Sequence, residues 1–511
     1  MTQTLSTPQE NRLKRNQRRI VKRMIIYGEL VLETPTCLGS GDTESPTDMP
    51  VLRDSVSDRA LLTGASLAGA LRNYLWEYEK GYEKKEEQRE KKEEKADQSN
   101  LTRDLAMLLF GGMRSDDDGN QSPLIVEDAL SSAVPTVELR DGVKIAPDTG
   151  TADNGAKYDL EFIAAGTEFK LGFELLIEQK HDEAIAQEQY EAQLCQALAL
   201  ALHGLESGEI SMGTKKRRGF GRCRVTEWQV WTFDLRQDQE RTAWLMFDHT
   251  VRDFSAPQSS IVQALGLTLE QTDCRDRLCI NATFTLDSPL LIRSGQDEIG
   301  LAPDVIHLKS RRAGENAPVP ILSGTSLTGV MWHRAERILN TLGQPTAMLK
   351  QIFGFVDENK LAEPARASRL VVHEGVIAGK THDLVQNRVA IDRFTGGAYH
   401  GALFSEQPVF GTHETTINVE LELRNPKDGE IGLLLLLLKD LWTGDLPVGG
   451  GRSIGRGRLQ GQQATITQYQ RKQSSPQTWT ITQGNTLEVS DAESLEKFVQ
   501  ALVSQTRGEK L

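Results

Sequence analysis

Apolar and polar positions alternate from Tyr27 to Thr34, the period of a strand with a buried face. Past a loop the period changes. Leu67, Leu71, Tyr74 and Leu75 recur every three or four residues, which predicts a helix that Thr63 or Ser66 can cap. Strands are predicted at Leu124–Val126 and from Phe169 to Ile177, a second helix from about Glu188 through His203, and a last strand from Cys223 to Trp231. Strand, helix, strands, helix, strand is the ferredoxin-like order. The order then returns, with helices predicted near 326–341 and 429–443. The longest apolar block, Ile431 to Leu438, is far shorter than the roughly 20 residues of a membrane span and reads as a buried helix. The predicted fold class is α+β, two tandem ferredoxin-like (RRM-like) modules.

Specific motifs repeat in the same order. Leu62-Thr63-Gly64-Ala65-Ser66-Leu67-Ala68-Gly69 returns as Leu322-Ser323-Gly324-Thr325-Ser326-Leu327-Thr328-Gly329. Leu109-Phe110-Gly111 matches Ile352-Phe353-Gly354, and Ser122 to Ala129 matches Ser368 to Gly375. Val143, Ile145, Thr149, Gly150 and Ala152 align without a gap on Val389, Ile391, Thr395, Gly396 and Ala398. Glu161 precedes Gly166 by the same interval as Glu406 precedes Gly411, and each half ends on a basic glycine loop. Six matches in one order imply duplication. The division that follows is a basic segment 1–24, a first module 25–235, a linker 236–275, a second module 276–465, and a tail 466–511 read as a loop followed by a short helix from Ser490. Gly64 to Gly213 spans 149 residues against 125 for Gly324 to Gly449. Most of the excess is a mixed-charge run at about 77–100, expected to be a solvated helical extension.

Charge narrows the reading. A net charge of −13 excludes a surface that is basic throughout, so any nucleic-acid footprint must be local. Three segments supply one: Arg12 to Arg23 with seven Lys or Arg, Lys215 to Arg224 with six, and Arg452 to Arg458 with three. With neither an apolar span nor a secretory signal visible, a soluble cytoplasmic protein without a membrane partner is expected. The five cysteines, Cys37, Cys195, Cys223, Cys274 and Cys279, lack zinc spacing and fit a reducing compartment. Six of nine histidines lie in the second half, at no metal-binding spacing.

Two features point to phosphate. Helix starts carry outward N–H groups and partial positive charge, so Gly64, Ser66 and the nearby Arg72, with Gly324 and Ser326, are candidate seats for an RNA backbone. Capped helices with close packing at Gly69 and Gly329 are the alternative. The glycine loops interleave backbone amides with cations, a combination suited to a sugar-phosphate chain. Their candidate contacts are Gly213, Lys215, Lys216, Arg217, Arg218, Gly219, Gly221 and Arg222 in the first loop. In the second they are Gly449, Gly450, Gly451, Arg452, Gly455 and Arg456.

The glycine loops, the Gly-x-Ser-Leu-x-Gly helix starts, the Phe-Gly pairs and the segment Ile391-Asp392-Arg393-Phe394-Thr395 together resemble the RAMP superfamily, most of all the backbone subunits of type III CRISPR effector complexes. The resemblance covers about 25–235 and 276–465. It implies modules stacked along a crRNA, with Arg393 among the RNA contacts, and thumb hairpins around 143–168 and 388–413 inserted into the duplex of guide and target RNA. Other subunits of the complex are implied partners. It also implies an aspartate, in the loop after the first strand, that cleaves target RNA with Mg2+ or another divalent metal. Asp48 matches that pattern best, and Asp304 is the counterpart in the second copy, each as catalytic group and metal ligand. Rival readings are a scaffold that binds crRNA without cutting, a crRNA-maturing RAMP endoribonuclease, and a passive single-strand binder. The last fits poorly with 6% aromatic residues.

Overall fold

The computed structural model describes residues 18–504, apart from 42–46, 83–103, 113–120, 147–148, 180–185, 252–253, 270–271, 294–302, 356–364, 472 and 474. Most of the charged run at 77–100 and most of the basic N-terminus lie outside the described residues. Module one runs β1 (Ile20–Leu32), α1 (Gly64–Lys80), α2 (Leu105–Phe110), β2 (Leu124–Val126), the hairpin β3 (Val137–Ile145) and β4 (Ala152–Ile163), β5 (Glu168–Glu178), α3 (Gln187–Glu206) and β6 (Cys223–Asp234). Its sheet is antiparallel with order β2-β5-β1-β6. Alternation along β1 sends Ile26 and Leu30 toward α1 and α3, and Ile25 and Tyr27 to the opposite face.

That opposite face corrects the linker. Residues 236–275 are not a loose connection: α4 (Asp238–Met246) and the segment after it bring Trp244, Phe247 and Phe254 against Tyr27, Trp231 and Phe233. A sheet covered on one side only would leave these aromatics in water. The described part of the basic N-terminus is likewise occupied, since Arg18, Lys22 and Arg23 pair with Glu178, Glu191 and Glu174.

Module two repeats the plan with β7 (Arg277–Leu286), α5 (Gly324–Leu342), α6 (Ala347–Phe353), β8 (Leu370–Val372), the hairpin β9 (Gln386–Ile391) and β10 (Ala398–Gln407), β11 (Thr416–Arg424), α7 (Asp428–Trp442) and β12 (Leu459–Tyr469). The tail differs from the expected loop and helix. It adds β13 (Gln477–Gln483) and β14 (Leu487–Val489), giving β8-β11-β7-β12-β13-β14, and then α8 (Ala492–Ser504). Helix α8 crosses α7 so closely that a Cβ on Gly432 would stand 2.2 Å from the Phe498 carbonyl oxygen. This explains why α7 is apolar all round: one side packs on the sheet, the other on α8.

The hairpins span 137–163 and 386–407, earlier than the expected 143–168 and 388–413, because each begins nearer its base and the next strand starts by 168 or 416. They carry the same bulge, between Val143 and Ile145 and between Val389 and Ile391. Gly150 and Gly396 share φ +67, and Gly155 and Gly401 share φ +74. The glycine loops match as well: φ is +76 at both Gly213 and Gly449 and +78 at both Gly221 and Gly457.

His307 is a staple of module two. Its Nδ1 accepts the Ile292 N–H at 3.1 Å and its Nε2 donates to the Ile321 carbonyl at 3.0 Å, which makes it the neutral Nε2-H tautomer. Burial pushes its pKa down to about 4. An unfolded histidine titrates near 6.5, so between that pH and about 4 the unfolded chain takes up a proton that the folded chain refuses. Folding stability should therefore fall as pH drops through this window, by up to about 3 kcal/mol from this residue. In urea unfolding, His307→Leu should flatten the pH dependence there by about one proton.

Candidate nucleic-acid interface

A cleft of about 1360 Å³ runs between the modules. Its module-one wall is the exposed face of α1, with Ser66, Gly69 and Asn73, and the glycine loop from Gly213 to Arg218. Its module-two wall includes the Phe353-Gly354 pair, Ser368 and His373. Three repeated motifs, far apart in sequence, thus face one space.

The helix starts decide between the two caps that the sequence offers. Thr63 and Ser323 are the caps, their hydroxyls accepting from Ser66 N–H at 3.3 Å and Ser326 N–H at 3.2 Å, so Ser66 and Ser326 stand inside the first turn. Gly64 N–H is taken by the Asp128 carboxylate at 2.6 Å, which already satisfies part of that helix start. In module two, Gly324 lies against the first module's loop, where a Cβ would stand 2.3 Å from the Arg218 carbonyl oxygen. Arg72 donates to the Gly111 carbonyl at 3.1 Å and ties α1 to the end of α2. Gly69 and Gly329 settle the packing alternative: both are exposed, and a Cβ on either meets nothing within 4 Å. Among the described residues these glycines pack against nothing. They leave two helix faces bare.

The first glycine loop divides its cations. Arg218 reaches across to the Phe353 carbonyl and Ser368, and Arg222 pairs with Glu420 of module two at 2.9 Å. Gly219, at φ +86, lets the turn lie against module two, where a Cβ would stand 2.4 Å from the Glu374 amide. Lys215 is held by Tyr158 of the hairpin, its Nζ donating to the phenol oxygen at 2.6 Å. It occupies a left-handed conformation, φ +53, where the second loop has Gly451. Lys216 and Arg217 face the cleft with no carboxylate in ion-pairing distance among the described residues. Partial burial, then the charge of Arg217, lowers the Lys216 pKa; burial, then Arg424, lowers that of Arg217. Lys216 is exposed and Arg217 half-buried, and two neighbouring cations without a carboxylate partner favour an incoming anion.

The second loop faces solvent, with Gly451, Arg452 and Gly455 exposed. Arg456 departs from the expectation of an RNA contact: it is buried, bonded to Glu406 at 2.9 Å and Gln386 at 2.7 Å, and so braces the second hairpin. Arg393 lies exposed at that hairpin's tip beside Phe394, which is 98% exposed.

Asp48 and Asp304 occupy equivalent positions. Asp48 Oδ2 accepts the Asp159 N–H at 2.8 Å, and Asp304 Oδ2 accepts the Ser405 N–H at 2.7 Å. Met49 and Val305 bridge the same strand of each hairpin, at Leu160 and Glu406. Both aspartates are exposed. The bonds from Ser405, backbone first and hydroxyl next, hold the Asp304 pKa below the ordinary carboxylate value. Sequence reasoning missed Tyr158 and Arg275, which carry no motif, and took Glu161 only as a marker of the repeat.

Replacing Lys216 and Arg217 together with alanine should weaken RNA binding and reduce its log–log salt dependence by roughly one to two units, read by titration at several salt concentrations.

The RAMP superfamily model matches residues 29–224 and 283–460, well over half of the chain and one match per module. No curated protein matches the chain. Among the described residues no helix is long and apolar enough to cross a membrane. With two matches falling on the two halves of a duplicated fold, the chain belongs to the RAMP superfamily, whose members bind RNA and act in CRISPR complexes.

Proposed function

We propose that this protein is a double backbone subunit of a type III CRISPR effector complex, holding crRNA with both modules and cutting the paired target RNA at Asp48 and Asp304. The observation that carries the RNA path is the cleft, one wall of which combines a bare glycine face of α1 with unpaired cations. A backbone can approach such a face closely, and phosphates neutralise the cations.

Hairpin one seats on module two: Glu138 accepts from Ser310 Oγ at 3.0 Å and from the Arg311 N–H at 2.8 Å, and Arg140 is buried beside it. Hairpin two, with the same bulge and turn, instead exposes Tyr399 and Leu403. A further subunit of the same build would receive it as module two receives hairpin one.

For cleavage, each loop aspartate would align the target's 2′-hydroxyl and take its proton as the 2′-oxygen attacks phosphorus; the 5′-oxygen leaves and is protonated by water, giving a cyclic phosphate. Among the described residues no group of three or more metal-ligating side chains occurs, and the reading assigns one carboxylate, Asp48 or Asp304, to each site. That suits Mg2+, which keeps several waters and uses substrate phosphates as ligands. When bound, the ion would stabilise charge on the phosphate. Asp48 and Asp304 are the residues that would hold it. The non-cutting scaffold reading draws on the same hydrogen bonds, because an aspartate tying its loop to a hairpin backbone has a structural job already.

Gly69→Leu and Gly329→Leu should leave thermal stability unchanged or slightly raised, since neither side chain meets the protein, yet weaken crRNA binding. Unchanged affinity would remove the bare helix faces from the RNA path. In the assembled complex, Asp48→Ala and Asp304→Ala should each abolish one target-RNA product; two unchanged products would leave the scaffold reading.

A further inference from the structure

The loop that carries Asp48 is held from both sides by one side chain. Glu161, on β4 of the first hairpin, accepts the Thr47 hydroxyl on Oε1 at 3.2 Å and the Val51 N–H on Oε2 at 3.1 Å. Its own N–H donates to the Met49 carbonyl at 3.2 Å, and Asp48 N–H donates to the Asp159 carbonyl at 3.1 Å. Residues 47, 48, 49 and 51 are therefore all fastened to the strand from Asp159 to Glu161. Only one oxygen of Asp48 is used in this fastening, the Oδ2 that accepts from Asp159 N–H.

Module two solves the same problem with different atoms. The pairings Val143–Lys157 and Val389–Leu403 align the hairpins, which places Ser405 opposite Asp159 and corrects the spacing match of Glu161 with Glu406: the counterpart of Glu161 in the strand is Gln407. There the Ser405 hydroxyl both accepts the Asp304 N–H and donates to Asp304 Oδ2, each at 3.0 Å. His307, the counterpart of Val51, gives its N–H to the Gln407 carbonyl at 3.1 Å. Pro303 stands where module one has Thr47 and offers no hydroxyl. Both aspartates thus accept a hairpin N–H on Oδ2, and the second adds a hydroxyl bond to that same oxygen. In the first, the fixing of its neighbours by Glu161 stands in place of that hydroxyl.

We infer that Glu161 is a positioning residue for Asp48, acting by geometry through Thr47 and Val51, and that module two has no counterpart to it. The inference rests on the cleavage reading above. Because the bracket needs an acceptor for Val51 N–H and any hydrogen-bonding partner for the Thr47 hydroxyl, glutamine satisfies it: its oxygen accepts from Val51 and its amide donates to Thr47. Alanine satisfies neither.

The test uses the ribonucleoprotein assembled on its guide, with labelled target RNA. The modules lie at different points along the strand, so each yields its own product length, assigned by Asp48→Ala and Asp304→Ala. Glu161→Ala should slow the module-one cut by about tenfold to a hundredfold, the usual cost of losing a group that orients a catalytic ligand, while the module-two cut and target affinity stay unchanged. Glu161→Gln should restore most of the rate. Thr47→Val, which removes one of the two bonds and sits in an external loop, should give an intermediate loss. An unaltered cut in Glu161→Ala overturns the inference, as does loss of both cuts together with RNA binding. So does a Glu161→Gln variant as slow as alanine, which would assign Glu161 a charged role instead. If Asp48→Ala itself leaves its product unchanged, the cleavage reading falls and this inference with it; a product lost in Asp48→Ala but kept in Glu161→Ala sinks the inference alone.

Discussion

The contact on which the arrangement depends is the one the chain makes between its own two copies. Arg275, at the entry to module two, is 4% exposed and bonds Asp273 and Glu209, both at 2.8 Å, with its guanidinium 5.0 Å from the Tyr74 ring centre and 5.1 Å from that of Tyr78. Burial opposes charge on Glu209, but Arg275 and Arg277 hold its pKa down at about 2. Removing one member of such a buried group strands the other charges and typically costs about 3–5 kcal/mol, so the group holds a geometry more than it adds net stability. A few residues away, Arg424 ties Glu422 and Glu77 together. With these pairs in place, the end of α1 and the first strand of module two cannot turn independently, and the cleft between them has a set width.

That joint also explains why two nearly identical loops have become unequal. Both keep the same left-handed turns, since the turn is what lets a loop leave its last helix and re-enter the sheet. Loop one must lie under module two, and its cations are split between docking, with Arg218 and Arg222, and the cleft, with Lys216 and Arg217. Among the described residues loop two lies against no further module. Its Arg452 remains in water, and Arg456 has been drawn inward to brace a hairpin. Duplication supplied the parts, and position in the tandem decided their use. The aspartate loops follow the same logic: both carboxylates accept a hairpin N–H, but one loop is further steadied by Glu161 and the other by the Ser405 hydroxyl.

An acidic protein that handles RNA presents no contradiction in this light. Many of its charges are matched in pairs, including Arg18, Lys22 and Arg23 of the N-terminal segment that looks like a basic footprint in the sequence. What attracts phosphate is a local surplus in a partly enclosed space, where screening is weaker and each unpaired cation is felt more strongly. Net charge counts all groups alike, so it cannot show that surplus.

Much of the fold was legible in the sequence because it rests on short-range physics. A period of two or of three to four, a hydroxyl before an apolar stripe, and glycines at left-handed turns act within a few residues, and their repetition in one order revealed two modules of one plan. The loop aspartates came from the family resemblance instead, and the structure places them in equivalent positions on their hairpins. Partnership was not legible. Whether Gly69 packs or stays bare, whether Arg456 meets solvent or Glu406, whether residues 236–275 and 466–504 dangle or cover a sheet face, and which side chain steadies Asp48 all depend on segments a hundred or more residues apart meeting in space. Periodicity carries no record of such meetings. The sequence by itself determined the elements, their order and their duplication, because those follow from local backbone preference and the segregation of apolar side chains. Only the tertiary structure decided which cations remain unpaired and which carboxylates are held, because that depends on what the folded chain brings within a hydrogen bond's reach.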